Sequence, residues 1–299
     1  MNVKLSEELK MLKEMAYKFA VAEFTPHIRE CDEHETYTPE IRKKAAANGL
    51  VGAWIPDAYG GAGAGILGNA VITEELSKID MGIGLNVVAA CFGCESIFQY
   101  GSEEQKKKWL PPVCAGEMVS AGAFTEPNAG TDVAGYKTRA VKQGDRYVIN
   151  GNKMFITNGT VCDFMVAQCI TNPDEKKHNS FSLIIVPADT PGVTRNKIRG
   201  KMGIRSSDTA EIAFEDVKVP VTNLVGKEGK GFYELMHFFD TTRVMVSAQG
   251  LGLSEACLEA SVKYCKERTA FGAPLGSYQL TQKKLAEMAI QIEALRTLT

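Results

Sequence analysis

"AFTEPNAGTDVAG", Ala123 to Gly135, divides the chain into two textures. Small residues lead into it, one proline and two glycines punctuate it, and Thr125 and Thr131 supply hydroxyls. It reads as a strand end passing into a loop that exposes several backbone N–H groups, a surface suited to a flat heteroaromatic ring or an anionic group. Before it, up to about Lys108, the pattern is helical. Thr38-Pro39 supplies an N-cap with proline at the first helical position, Asn48-Gly49 supplies a stop, and 68–78, 83–100 and 102–110 read as further helices until Pro111-Pro112 breaks the regime. Around and after it, from Met118 to about Gly226, short runs rich in Val, Ile, Phe and Thr alternate with turn signals at Gly144-Asp145, Asn150-Gly151 and Asn158-Gly159. "KTRAVKQGDRYVINGNKMFITNG", "DFMVAQCIT", "SFSLIIVP" and "TAEIAFEDVKVP" are predicted strands of an antiparallel sheet or barrel. Beyond Gly231 the helical period returns.

The order α, β, α predicts a multi-domain α and β protein: an N-terminal helical domain over 1–117, a middle antiparallel β domain over 118–228 and a C-terminal helical bundle over 229–299. Helix-rich flanks around a β middle do not suit an alternating βαβ sheet. That bears on Gly63-Ala64-Gly65-Ile66-Leu67-Gly68, which spells the dinucleotide fingerprint. The fingerprint needs a strand feeding the glycines, and a loop containing Pro56 precedes these, so they read as a glycine-rich surface loop.

Composition narrows the function classes. With 34 Lys+Arg against 36 Asp+Glu, the chain has no basic excess for phosphate binding, which argues against nucleic acid as main partner. The N-terminus is an amphipathic helix with acidic residues near its start, unlike a signal peptide. The most apolar run, Ile83 to Phe98, is too short for a membrane span and carries Asn86 and Glu95. A soluble, cytoplasmic protein is expected. Eight cysteines in mostly apolar surroundings fit reduced, buried thiols. Cys91-Phe92-Gly93-Cys94 spells C-x-x-C, but no second pair or paired histidines accompany it, so no metal is expected.

The opening segment resembles the signature of the acyl-CoA dehydrogenase family, T-E-P-x-A-G-[ST]-D-x-x-[GA]. The resemblance continues in order through "IPDAYGGAG", "YGSEEQKKKWLP", "YVINGNKMFITNG", "KMGIRSSDTAEIAFEDVKVPVTNLVG", "DTTR" and "KERTAFGAPLGSYQ". It implies an FAD enzyme that removes hydrogens from the α and β carbons of an acyl-CoA thioester: a carboxylate takes the α-proton, a hydride goes to FAD, and electrons pass to an electron-transfer flavoprotein. The carbonyl is polarised by the FAD ribityl hydroxyl and by the backbone N–H of the catalytic glutamate. A homotetramer is implied as well.

By the same resemblance Gly122, Ala123, Phe124, Thr125, Gly130 and Thr131 line the flavin, Thr125 at the pyrimidine edge. Phe155 packs on the ring where many relatives have Trp, beside Ile156, and Thr157 bonds near N5. Thr131 also takes the place of a residue that contacts the CoA arm. Asp240 and Arg243, at i and i+3 on one helix face, suit the pantetheine and adenine end; an ordinary solvated ion pair is the plainer reading. Arg268 and Gln279 match residues that reach the FAD of a neighbouring subunit, although Ala270 replaces a family threonine. The family glutamate stands either just before the D-x-x-R arginine, here Thr242, or far toward the C-terminus. Thr242 is no base, so no catalytic residue is assigned within 1–299.

The last residues, "AEMAIQIEALRTLT", carry an apolar stripe of Met288, Ala289, Ile292 and Leu295 with no closing Gly, Asn or Pro. A family member lacking its last bundle helices and catalytic loop is expected from this, its glutamate lying beyond Thr299. The alternative is a natural short form that binds acyl-CoA or a flavoprotein partner without catalysis. A short or branched, uncharged acyl group is expected, since the position of the arginine in glutaryl-CoA-specific relatives falls near Ile83.

Overall fold

Ser6 accepts from the Leu9 N–H, and Glu7 and Glu8 sit at the positive end of the helix dipole, so α1 (Glu7–Phe24) begins where the sequence supplies a cap. The computed structural model describes residues 4–299. α2 (Ile28–His34), α3 (Pro39–Ala47), α4 (Gly65–Ile79), α5 (Met81–Val88), α6 (Cys94–Tyr100) and α7 (Glu103–Cys114) complete the N-terminal helical part. Pro39 stands at the first turn of α3, and Gly49 follows that helix with φ +68°, as the sequence predicts.

Two expectations change here. The predicted helix over 83–100 is two helices, because residues 89–93 turn and lie along the sheet. Ser120 N–H donates to Ala90 O at 2.8 Å, and Gly93 takes φ +100° against the Ala121 carbonyl, a conformation costly for any other residue. Cys91 therefore bridges to Ser120 and Cys94 begins α6, so the C-x-x-C pair does not sit within one helix. The prolines do not end α7 either. It opens on a capping box between Ser102 and Gln105 and runs through Pro111 and Pro112 to Cys114. The missing N–H groups are offset by burial of Leu110, Val113 and Cys114 in the last turns.

The middle of the chain forms one sheet from β1 (Ser120–Ala123), β2 (Arg139–Gln143), β3 (Arg146–Thr157), β4 (Phe164–Ile170), β5 (Phe181–Pro187), β6 (Val193–Lys197), β7 (Thr209–Pro220) and β8 (Leu224–Val225). The order is β6-β7-β3-β2-β4-β5-β8, with β1 beside β4. The predicted strands and the Gly144-Asp145 hairpin are present. The sheet is mixed, with β1 and one residue of β2 parallel to β4 and the other pairings antiparallel. Asn150-Gly151 is not a turn. It lies within β3 as an irregularity in the β7 pairing, where Gly151, at φ +149°, packs tightly on Thr138.

α8 (Gly231–Glu267) follows, then a small hairpin of β9 (Thr269–Ala270) and β10 (Ala273–Pro274), then α9 (Gln279–Leu298). α8 runs hard against α4: a Cβ on Gly252 would come within 2.1 Å of Glu74 O. α9 turns its expected stripe inward, with Ile292 buried. Carboxylates of Glu74, Glu75 and Glu255 converge within 4.8 Å and are ion-paired with Lys13, Lys78 and Arg296, tying α1, α4, α8 and α9 together. Among the described residues no helix is long and apolar enough to cross a membrane.

Candidate functional site

β3 carries the first half of the site. Lys153 pairs with Ile212 and Ile156 with Ala210, so β3 has one residue more than β7 between them, a bulge that re-aims the strand. Phe155 sits in it with φ +60°, an uncommon backbone for an aromatic residue, and its ring is 65 % exposed. Met154 N–H donates to Thr125 O at 2.8 Å, which fixes the loop after β1 beside that ring.

The loop is held from beneath by a buried ion pair. Lys153 Nζ, fully buried, donates to Phe124 O (3.0 Å) and Gln168 O (2.8 Å) and pairs with Glu126 Oε1 (3.0 Å). Glu126 also accepts from the Lys137 and Thr138 N–H groups at 2.6 and 2.9 Å. Burial works to raise the Glu126 carboxyl, but the Lys153 charge and these hydrogen bonds outweigh it and hold it below its usual range. Tyr136 Oη closes the loop by donating to Gly130 O at 3.2 Å.

Gly122, Thr125, Gly130, Thr131, Phe155 and Thr157 thus lie on one strand-and-loop constellation, with Gly130 and Thr131 exposed and Thr125 and Thr157 half-buried. The side chains of Ala123, Phe124 and Ile156 are buried in the core. Asp240 and Arg243 form an exposed pair at 2.7 Å. Arg268 and Gln279 are exposed at the connection between α8 and α9, and neither lines the cavity described next.

The second half is a cavity of about 170 Å³ where α4 and α6 meet α8. Trp54, Phe98 and Phe238 give it apolar walls. Phe238 also packs edge-on against Phe92 and Phe124, each at 5.1 Å between ring centres, so the cavity wall touches the strand end that leads into the loop. α8 faces the cavity with Glu234, Phe238, Thr242 and Met245, a spacing of about four residues that places them on one side. Thr242 is 8 % exposed, and its hydroxyl donates to Phe238 O at 3.0 Å. Ile83 is fully buried in α5 and does not line the cavity.

Two carboxylates line the cavity. Glu95 Oε2 accepts from the Gly93 N–H at 2.9 Å, and burial pushes its carboxyl up to about 7 against the pull of the Glu95 and Gly93 N–H groups. Glu234, 5 % exposed, accepts from Lys227 N–H through Oε1 at 3.2 Å, and burial pushes it also up to about 7. Its Oε2 is buried without a hydrogen-bond partner. The sequence signal for Glu234 is its i, i+4, i+8 spacing with Phe238 and Thr242, and Glu95 stands in the sequence as an acid within an apolar run.

Glu234 sets a pH dependence. Its folded value lies above the ordinary 4.5, so the native state binds the extra proton and the penalty is absent below about pH 4.5 and complete above about pH 7. Glu234→Gln is expected to stabilise the protein by up to about 3 kcal/mol at pH 8 and to give no gain at pH 4.5. Urea unfolding of both proteins at the two pH values checks this, an equal effect at both ruling out the titration.

Six of the eight thiols are buried as expected, whereas Cys257 is exposed and Cys265 half-buried. All eight cysteines are free, and burial pushes Cys91 and Cys94 well above the usual thiol range, which keeps them protonated and unreactive.

Family profiles for the acyl-CoA dehydrogenase N-terminal, middle and C-terminal domains match residues 6–117, 121–217 and 229–299. The probable acyl-CoA dehydrogenase YngJ of Bacillus subtilis is 39 % identical over 297 residues, 99 % of this chain and 78 % of that protein. The butyryl-CoA dehydrogenase structure from Megasphaera elsdenii superposes with a TM-score of 0.94 at 38 % identity, over 100 % of this chain and 79 % of that one. A chain in a solved structure of work on the electron transferring flavoprotein of Acidaminococcus fermentans reaches 0.96 at 40 % identity, over 100 % and 78 %. With three domain profiles matched in order along almost its whole length, the chain belongs to the acyl-CoA dehydrogenase family of FAD-dependent oxidoreductases.

Proposed function

We propose that the loop after β1 and the β3 bulge hold the isoalloxazine of FAD, and that the cavity beside α8 takes the acyl end of a short or branched, uncharged acyl-CoA. The observation that carries this reading is Phe238, which forms the cavity wall on one side and packs on Phe124 of the flavin strand on the other. FAD, when bound, supplies the hydride acceptor, and an electron-transfer flavoprotein takes the electrons onward. The chain's own part is placement. Phe155 offers an exposed apolar wall, Thr125 and Thr157 offer hydrogen bonds at its margin, and the Glu126–Lys153 pair fixes the loop. Trp54, Phe98 and Phe238 exclude water from the acyl group.

The two acids argue against an anionic acyl group, since once ionised Glu95, half-buried, and Glu234, buried, would oppose a third carboxylate in a largely desolvated space. Butyryl-CoA is therefore expected to bind about tenfold more tightly than glutaryl-CoA, a difference of ~1.4 kcal/mol. Calorimetric titration measures it, and tighter binding of glutaryl-CoA sinks the assignment.

Arg268 and Gln279 act, in this reading, on the FAD of a neighbouring subunit within a homotetramer, which fits their exposure away from the cavity. An Arg fork on a pyrophosphate contributes a charge-assisted bond of about 1.5–3 kcal/mol. Arg268→Ala should weaken FAD retention roughly 10- to 100-fold without lowering unfolding stability. Unchanged flavin absorbance after gel filtration of the variant counts against the role. The second reading, a protein that binds acyl-CoA or a flavoprotein partner without turning substrate over, is favoured by one observation, that the residue facing the cavity from α8 just before Arg243, where some relatives carry the catalytic glutamate, is Thr242.

A further inference from the structure

The acyl cavity contains more polarity than a plain hydrocarbon chain requires. A pocket for a simple alkyl group gains nothing from buried carboxylates, because each costs desolvation and finds no partner in a methyl group. This one has two, Glu234 buried and Glu95 half-buried, and His237 is the single basic side chain in its lining, with no Lys or Arg. Glu234 Oε2 is buried with no hydrogen-bond partner, although its other oxygen is fixed by Lys227. Ser96 Oγ, also in the lining and 1 % exposed, has no partner either. Glu95 is anchored through Oε2 by the Gly93 N–H, and its carboxylate retains further acceptor capacity. Orphaned buried polar atoms in a folded protein call for an explanation, and several converging on one cavity point to a ligand that pairs with them.

What they share, once the carboxyls are ionised, is acceptor character. A carboxylate accepts, and a serine hydroxyl both accepts and donates. The complementary group is a hydrogen-bond donor set on an otherwise apolar stem, which Trp54, Phe98 and Phe238 can cover. Resting on the acyl-CoA reading above, we propose that this cavity selects short acyl groups whose distal end carries a hydrogen-bond donor, a hydroxyl or a protonated amine, held by Glu234, Glu95 and Ser96. A methyl-ended chain leaves the acids unpaired, and a carboxylate-ended chain opposes them. The stability that Glu234 forfeits at neutral pH fits this, since functional sites commonly keep residues that the fold alone would not favour.

The test is calorimetric and needs no turnover. S-pentyl-CoA, S-(4-hydroxybutyl)-CoA, S-(4-aminobutyl)-CoA and S-(3-carboxypropyl)-CoA are unreactive thioethers with stems of similar length. The hydroxyl and amine probes are expected to bind about tenfold or more tightly than S-pentyl-CoA, as for one hydrogen bond to a charged group, with the carboxylate probe weakest. Comparison of the two donor arms at pH 6 and pH 8 tells a charge contact, which strengthens for the amine as the acids ionise, from a neutral one. The double variant Glu95→Leu, Glu234→Leu should invert the order, S-pentyl-CoA becoming tightest, with thermal unfolding verifying that it is folded. Equal or tighter binding of S-pentyl-CoA by the parent protein overturns the proposal while leaving the acyl-CoA reading intact. Failure of every probe to bind overturns that reading and the proposal with it.

Discussion

Residues 1–299, supplied with FAD and an artificial electron acceptor, are expected to give no measurable oxidation of butyryl-CoA. Removal of an α-proton needs a base beside the thioester. From α8 the cavity meets Thr242, whose hydroxyl is engaged with the Phe238 carbonyl and has no base to deprotonate it. Glu234 lies two helical turns away on the same face, tied to the Lys227 N–H, and Glu95 is turned back onto Gly93. General-base catalysis is worth about 10²–10⁴-fold, and an oxyanion donor of the kind the family glutamate's backbone N–H supplies about 10²–10³-fold more. Thr242→Glu places a carboxylate on the cavity wall and is expected to recover part of the first factor and none of the second. Bleaching of the flavin by butyryl-CoA in the unsubstituted chain is the contrary outcome. It locates the base within these residues, with Glu95 first in line because it shares the cavity and its carboxyl, at about 7, suits proton abstraction. Glu95→Gln then abolishes the bleaching.

Legibility in the sequence followed the range of the interactions. Helix starts written as caps, such as Ser102 with Gln105, and strands written as runs of Val, Ile and Phe were readable because their causes lie within a few residues. Features set by distant partners were not. Residues 83–100 look like one apolar helix until Asn158, 69 residues on from Ala89, donates to Ala89 O and Ser120 O and binds the 89–93 turn to the sheet. Asn150-Gly151 looks like a hairpin turn until Thr138 approaches it inside β3. The flavin loop was readable as a motif, but that Ala123, Phe124 and Ile156 face inward depends on the β1–β4 pairing and the β3 bulge. The acyl cavity was the least legible part. Its polar lining comes from α6 and α8, more than a hundred residues apart, and nothing near Glu95 in the chain announces Glu234.

Lys153→Met is expected to cost about 3–5 kcal/mol of stability, the usual penalty for leaving one member of a buried pair without its partner. Three acceptors lose the same donor: Glu126 Oε1, Phe124 O and Gln168 O. Methionine fills the space but bonds to none of them, so the loss is electrostatic and not a cavity effect. The pH dependence separates the two. In the parent, the depressed Glu126 contributes stability that is present above its ordinary value and lost as pH falls through the folded one. Without Lys153 the same buried carboxyl is left with backbone donors alone, its value rises, and the deficit of the variant should shrink on acidification from pH 8 to pH 5. A packing defect would instead be the same at both. Adding Glu126→Gln should restore part of the loss at pH 8, because the uncompensated charge disappears while the amide oxygen still accepts from the Thr138 or Lys137 N–H. Since the pair fixes the loop that carries Thr125 and Thr131, FAD affinity should fall in the single variant and recover in the double. A single variant that unfolds within 1 kcal/mol of the parent, roughly the scale of a surface ion pair, removes Lys153 as the anchor of that loop.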